Sequence, residues 1–233
     1  MKILALDASG IVATVAIASE EEIIAEYTIK HKKTHSQTLL PMIDEVMKFT
    51  ELNIKDIDYI AATNGPGSFT GLRIGAATAK GLAQARNIPI VSIPTLEAIA
   101  YNVNYTDKLI CPIMDARRNN VFTGIYKRQE NHLDIVRKQS AISIEELIKE
   151  INELGQEVIF VGDGVSVWQE YIQKNIIVDY QLAPIYVREQ KASSVIGLAM
   201  EYIKEKKYVS SKDFQLDYLR KSQAERELEN KNK

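Results

Sequence analysis

The chain carries the stretch NGPGSFTGLRIG at residues 64–75. A short apolar run precedes this stretch, and a segment with helical periodicity continues from it to Arg86. A strand, a glycine-rich turn and a helix N-terminus bring free backbone N–H groups and the positive end of the helix dipole together, so this arrangement can bind an anion. The glycine spacing matches neither the Walker A loop nor the dinucleotide fingerprint. The simpler interpretation is a rigid turn that caps a packed helix through Ser68 or Thr70.

The helix after this turn contains a row of very small residues. They recur every four positions, at Gly71, Gly75, Ala79 and Ala83. Each interior glycine destabilises a helix by about 1 kcal/mol relative to alanine. The row therefore predicts that another helix approaches closely, and the sequence leaves open whether this neighbour belongs to the same chain or to a partner.

Outward from this motif, the chain shows the same order of elements twice. Three short apolar segments with brief connections begin each half, which predicts antiparallel strands, and helices and further strands alternate after them. The first strand of each half ends at an acid, Asp7 or Asp115. This βββαβα repeat predicts an α/β fold of two similar lobes with a cleft between them. We expect the lobes to span residues 1–102 and 103–216, followed by a polar tail at 217–233.

The composition of the chain argues against several classes of protein function. The 233 residues are 45% hydrophobic with a formal net charge of -2, so no overall positive field attracts nucleic acid. A lone cysteine, Cys111, forms no internal disulfide, and three histidines supply few zinc ligands. The first apolar run meets an acid after four residues, and no run approaches the roughly 20 apolar residues that cross a bilayer. We expect a cytoplasmic protein without membrane contact.

Acids at the ends of the two first strands are typical of actin-like phosphotransfer enzymes, in which they hold magnesium while neighbouring glycines admit phosphate oxygens. Here the residues after Asp7 lack a Gly-Thr or Gly-Ser pair, and Arg117 and Arg118 follow the second acid where a glycine is expected. Asp7, Ser9, Arg117 and Arg118 are therefore candidates for contact with a nucleotide or phosphate. The arginines could equally pair with carboxylates across an interface or be solvated. The pattern argues against independent phosphoryl transfer.

Two further patterns have simple interpretations. His31 and His35 have the spacing of a metal pair, but they fall at a strand end and a helix start, and no glutamate follows His31. We therefore expect a solvated turn and no metal site. The segment GDG at residues 162–164 suits an adenosine loop, although a tight turn between a strand and a helix requires nothing more.

Together these motifs resemble the TsaB (YeaZ) family. The resemblance rests on ILALDAS at residues 3–9, HSQTLLP at 35–41, GPGSFTGLRIG at 65–75, DARR at 115–118 and YLR at 218–220. It covers essentially the whole chain. It implies a bacterial protein with the actin-like ATPase (ribonuclease H-like) fold.

The resemblance also implies a function: a non-catalytic subunit of the complex that makes threonylcarbamoyladenosine in tRNA. Its implied partners are the transferase paralogue TsaD and the ATPase TsaE. ATP and magnesium are expected to act in the complex, and this chain is expected to hold no cofactor or metal of its own. It is expected to contact tRNA only through the complex. Alone, such a chain is expected to form a homodimer through its first two helices. The alternatives are an actin-like ATPase or phosphotransferase and, less favoured, a metallopeptidase using His31 and His35.

On this basis the partner interface is expected to lie on the first two helices. The residues expected in it are His35, Leu39, Ile43, Val46, Met47, Gly71, Arg73, Ile74, Gly75, Thr78 and Ala79.

Overall fold

The computed structural model describes residues 1–31, 34–130 and 132–220, so most of the expected tail, from residue 221 onward, lies outside the described residues. The strands of the first lobe are β1 (Ile3–Asp7), β2 (Val12–Ala18), β3 (Ile23–Lys30), β4 (Tyr59–Gly65) and β5 (Ile90–Pro94). Its helices are α1 (His35–Phe49), α2 (Phe69–Arg86) and α3 (Thr95–Ala100). The strands that follow are β6 (Leu109–Asp115), β7 (Asn120–Gln129), β8 (His132–Ser143), β9 (Val158–Val161) and β10 (Tyr180–Leu182). The remaining helices are α4 (Ile144–Leu154), α5 (Gly164–Asn175), α6 (Ile185–Arg188) and α7 (Ala192–Lys204).

The two sheets have the same topology. Their strand orders are β3-β2-β1-β4-β5 and β8-β7-β6-β9-β10. In each sheet the first three strands pair antiparallel, and the last two run parallel to the central strand. The expected α/β fold of two similar lobes is confirmed. Strand β10, which periodicity does not reveal because it has three partly exposed residues, completes the correspondence.

The first sheet is covered on both faces, which explains why β1 and β2 are continuous apolar runs. Helices α1 and α2 pack on one face. Helix α7 packs on the other, where Val195 and Ile196 contact the side of β1 that presents Ile3 and Ala5. The range 103–216, expected to form the second lobe, thus contributes its last helix to the core of the first.

Helix α3 joins the lobes through apolar contacts. Ala98 belongs to the core on the first sheet, whereas Leu96 and Ile99 pack with Ile110 and Met114 of the second. The opposite face of the second sheet is covered by α4 and α5. Among the helices of the described residues, none is long and apolar enough to cross a membrane.

Candidate functional site

The glycine-rich turn between β4 and α2 is fastened to the end of β1. The backbone N–H of Ser68 donates to the Ser9 carbonyl oxygen at 2.7 Å. The Ser68 hydroxyl accepts from the Gly71 N–H at 3.3 Å and so caps α2, as the sequence suggests. Because these two N–H groups have partners within the chain, the geometry favours the capping turn over the anion site.

The row of small residues on α2 faces into the chain. Gly71, Gly75, Ala79 and Ala83 are all buried. A Cβ added at Gly71 would overlap the carbonyl oxygen of Ala8, at the end of β1. The close neighbour is therefore the lobe's own first strand and not the helix that the row predicts. Gly71, Gly75 and Ala79, which we expected at the partner interface, are corrected to internal packing residues because their small size admits β1.

Four predicted interface residues of α1 also have internal roles. Leu39, Ile43 and Val46 are between 1% and 5% exposed and belong to the core on the first sheet. His35 is half-buried, and its Nε2 donates to the Gly10 carbonyl oxygen at 2.8 Å, which ties α1 to the β1–β2 turn. These four are corrected to core or bracing residues, because α1 buries this side against the sheet.

A second row of small residues lies on the outer side of α2. Ala77, Gly81 and Ala85 have the same spacing of four as the buried row, but all three are exposed. Apart from its chain neighbours and the adjacent backbone of α2, no described atom lies within 4 Å of the position that a Cβ would take at Gly81. Ile74 and Thr78, both expected at the interface, are half-buried beside this row. The sequence contains this signal, since the spacing is visible, but periodicity does not say which row points outward.

Helix α1 extends this outer surface with apolar side chains. Leu40 is 55% exposed, and Met47 is half-buried. A groove runs beside Leu40 and Met47, and polar side chains line it together with apolar ones. The apolar lining residues are Leu40, Ile43, Met47, Leu52, Ile54 and Leu82, so Ile43, expected at the interface, borders this groove. We call the surface formed by Leu40, Met47, Ile74, Ala77, Thr78, Gly81 and Ala85, all exposed or half-buried, the outer α1–α2 face.

Arg73 lies at the N-terminal end of the outer α1–α2 face. Its guanidinium carbon is 4.7 Å from the ring centroid of Phe69. Its Nε donates to the Tyr218 hydroxyl at 3.2 Å. This expected interface residue is thus exposed and held in place by two aromatic rings.

The predicted phosphate contacts on the first lobe are buried. Asp7 is 0% exposed, and its Oδ1 accepts from the Ser9 N–H at 2.7 Å and from the Thr63 hydroxyl at 2.9 Å. Burial raises the pKa of the Asp7 carboxyl above its ordinary value, although these hydrogen bonds oppose the shift. A buried carboxyl in which burial favours the neutral form does not fit the direct binding of a magnesium ion with a phosphate.

The predicted contacts on the second lobe lie in the turn between β6 and β7. Arg117 and Arg118 are exposed and have positive φ angles of 62° and 52°, which L-residues with long side chains seldom adopt. The Arg117 N–H donates to Asp115 Oδ1 at 3.1 Å. Among the described residues no hydrogen bond joins either arginine side chain to Asp7 or Ser9, and contact of these four residues with a phosphate stays a prediction.

His35, one of the two histidines with the spacing of a metal pair, is hydrogen-bonded within the chain. His35 uses Nε2 for the Gly10 carbonyl, as noted above, so this nitrogen is unavailable as a ligand. No group of three His, Cys, Asp or Glu side chains in residues 1–31, 34–130 and 132–220 is placed to hold a metal ion.

The turn at residues 162–164 packs tightly against the end of β6. A Cβ at Gly164 would lie 2.9 Å from the Ile113 carbonyl oxygen, and Gly162 has a φ of 104°. Close backbone packing therefore accounts for both glycines. Burial raises the pKa of the Asp163 carboxyl between them to about 6, and the charges of Glu189 and Asp115 act in the same direction.

The raised pKa of Asp163 predicts a pH-dependent stability. Between about pH 4 and pH 6 the folded state binds more protons at this carboxyl than the unfolded state, so stability falls as the pH rises through this window. Asp163→Asn removes the dependence and should stabilise the fold by about 2–3 kcal/mol at pH 7. Urea unfolding of the wild type and Asp163→Asn at pH 4.5 and pH 7 measures the difference in their free energies of unfolding at each pH. An equal difference between the two proteins at both pH values would contradict the assignment.

The duplicated topology, with its two matching strand orders, defines the actin-like ATPase fold. YeaZ from Pseudomonas aeruginosa has this fold in common with the chain: its structure superposes with a TM-score of 0.77 at 22% identity, covering 94% of this chain and 99% of that one. At this level of identity the likeness concerns the fold alone.

Sequence comparison identifies the family. A family model described as "TsaD: tRNA N6-adenosine threonylcarbamoyltransferase" matches residues 22–228. The tRNA threonylcarbamoyladenosine biosynthesis protein TsaB of Bacillus subtilis is 32% identical, with 88% of this chain and 94% of the relative covered. TsaB of Escherichia coli is 28% identical, with 99% and 100% covered. The chain belongs to the TsaB (YeaZ) family, a family of tRNA threonylcarbamoyladenosine biosynthesis.

Proposed function

We propose that the chain is a non-catalytic subunit in the synthesis of threonylcarbamoyladenosine in tRNA, and that it binds a TsaD-type transferase through the outer α1–α2 face. The exposed row Ala77, Gly81 and Ala85 is the observation that carries this proposal. An exposed glycine inside a helix costs about 1 kcal/mol relative to alanine. Nothing in the described chain uses the space at Gly81. A partner that approaches this helix closely does use it.

The surroundings of this row support a protein partner. Small side chains allow two helices to pack at short distance, since the interaxial distance depends on the residues at the contact. Leu40 and Met47 add apolar area, and Asp44 and Lys48 form an ion pair of 2.7 Å on the neighbouring turn. An apolar centre next to charged side chains is typical of protein interfaces.

A TsaD-type protein is the partner that the comparisons favour. The matching family model carries the name of the transferase, so both kinds of protein are related in sequence. Proteins built on one fold can present equivalent helices to each other, as the two copies do in a twofold dimer. The same face would then form the homodimer when the chain is alone. In this proposal TsaE joins the complex, which works in the cytoplasm and supplies ATP, magnesium and the contact with tRNA.

Burial of Asp7 supports a non-catalytic role. A phosphotransferase of this fold needs an accessible carboxylate at the end of β1, but here the side chain is enclosed and its Oδ1 is bonded to Ser9 and Thr63.

The proposal predicts that threonylcarbamoyl transfer to tRNA requires the chain but not its buried acid. In a reaction reconstituted with the TsaD-type transferase and TsaE of the same source, omission of the chain should abolish product. Asp7→Asn should support the wild-type rate, because an amide preserves the two accepted hydrogen bonds. A large loss of rate in a folded, partner-bound Asp7→Asn variant would show that the carboxyl takes part in the chemistry.

A further inference from the structure

The segment Asp217–Arg220 follows the last core residues of the first lobe and touches both lobes. The Asp217 N–H donates to the Asn64 carbonyl oxygen at the end of β4, at 2.8 Å. The Asp217 carboxylate accepts from Gln139 Nε2 of β8 at 2.7 Å. One residue therefore bonds to the first sheet through its backbone and to the second through its side chain.

The residues after Asp217 also contact both lobes. The ring of Tyr218 stacks on Phe69, at the start of α2, with centroids 4.1 Å apart and planes 11° apart. Arg220 Nη1 donates to the Ala116 carbonyl oxygen, just after β6, at 2.6 Å. Tyr218 thus holds the first lobe and Arg220 the second.

The glycine-rich turn is shaped to receive this segment. Gly65 has a φ of 126°, which favours glycine, and a Cβ there would overlap the Asp217 carbonyl oxygen. One glycine of the motif at residues 64–75 is therefore explained by close approach of the C-terminal segment and not by a ligand.

Several contacts in the described chain limit the relative movement of the lobes, among them the Arg128 guanidinium 4.3 Å from the ring centroid of Tyr101. Helix α3 packs on both sheets, as described above. Contacts confined to one end of an interface still permit hinge motion of lobes around a cleft. The segment at residues 217–220 adds contacts at the turn that contains Gly65, and it joins this turn to β8 and to the end of β6.

We propose that Asp217–Arg220 is a strap that locks the two lobes at a fixed angle, the role that a ligand between the lobes has in hinged proteins. Through the Tyr218 hydroxyl and ring, the strap also positions Arg73 at the edge of the outer α1–α2 face. This second consequence rests on the proposed function, whereas the first is a property of the chain alone.

A distance measurement between the lobes tests the strap. Spin labels on Gln84→Cys in α2 and Lys149→Cys in α4 report the separation, since both positions are exposed and Cys111 is fully buried. The full chain and a chain ending at residue 220 should give the same narrow distribution. A chain ending at residue 216 should give a broader one, and so should Tyr218→Ala.

Three outcomes would overturn the strap. One is an unchanged narrow distribution in both the chain ending at 216 and Tyr218→Ala. Another is broadening already in the chain ending at 220, which would assign the lock to later residues. If the shorter truncation fails to fold, Tyr218→Ala and Gln139→Ala decide, and wild-type distributions in both would refute the proposal.

Binding of the TsaD-type transferase tests the position of Arg73 separately. Tyr218→Ala should weaken binding roughly tenfold, as expected when one interface arginine loses its place. Arg73→Ala should weaken it by a similar factor, and the double variant should add little. Normal binding by Tyr218→Ala with loosened lobes would overturn the positioning role and leave the strap intact. Absence of binding by the wild-type chain would instead refute the proposed function.

Discussion

Replacing Gly71 by alanine should destabilise the chain by about 3 kcal/mol, whereas replacing Gly81 in the same helix should stabilise it by about 1 kcal/mol. At Gly71 the new methyl group would overlap the Ala8 carbonyl oxygen, so α2 must move away from β1. At Gly81 the methyl group meets no described atom, so only the gain in helix propensity remains.

Urea unfolding followed by circular dichroism measures both changes, at a protein concentration where the chain is monomeric. Because both variants make the same chemical change in one helix, each is the control for the other. Equal effects at the two positions would contradict the assignment of an inward and an outward row.

The second large effect concerns binding. Gly81→Leu should weaken binding of the TsaD-type transferase by about 3 kcal/mol, roughly 100-fold in Kd, because a bulky side chain would hold the partner helix away. The same change should not destabilise the monomer, because Leu has a higher helix propensity than Gly and the position is exposed. Weaker binding without loss of monomer stability would identify Gly81 as an interface residue, because substitution of a core residue would destabilise the monomer.

The element order and the capping turn could be predicted from local signals. Three apolar runs with short connections define antiparallel strands wherever they occur, and the glycine turn ends β4 and starts α2 through Ser68. Both signals depend on neighbouring residues alone, so the sequence contains them in full.

The direction in which α2 faces could not be predicted. The helix carries two rows of small residues with the same spacing, one through Gly75 and one through Gly81. Spacing shows that each row shares a side of the helix, but burial is decided by the packing of α2 on β1. For this reason the row that we expected at the partner is the buried one, while Arg73, Ile74 and Thr78 lie on the exposed or half-buried side.

Contacts between segments that are distant in the chain also could not be predicted from the sequence. Helix α7 returns to the first sheet, and the Asp217 N–H bonds to Asn64 across a separation of 153 residues in the chain, the difference between positions 217 and 64. Neither contact leaves a periodic pattern, because each depends on where the lobes place distant segments. Arg117 and Arg118 illustrate the same limit, since their positive φ angles arise from the tight β6–β7 turn.

Titration of the TsaD-type transferase with three forms of the chain tests the central claim most directly. The forms are the wild type, Gly81→Leu on the outer α1–α2 face, and Gln169→Leu, an exposed position on α5 of the other lobe. We predict that Gln169→Leu binds like the wild type and that Gly81→Leu loses roughly 100-fold in Kd while remaining folded. Wild-type affinity in a folded Gly81→Leu variant would contradict the claim that the partner binds this face.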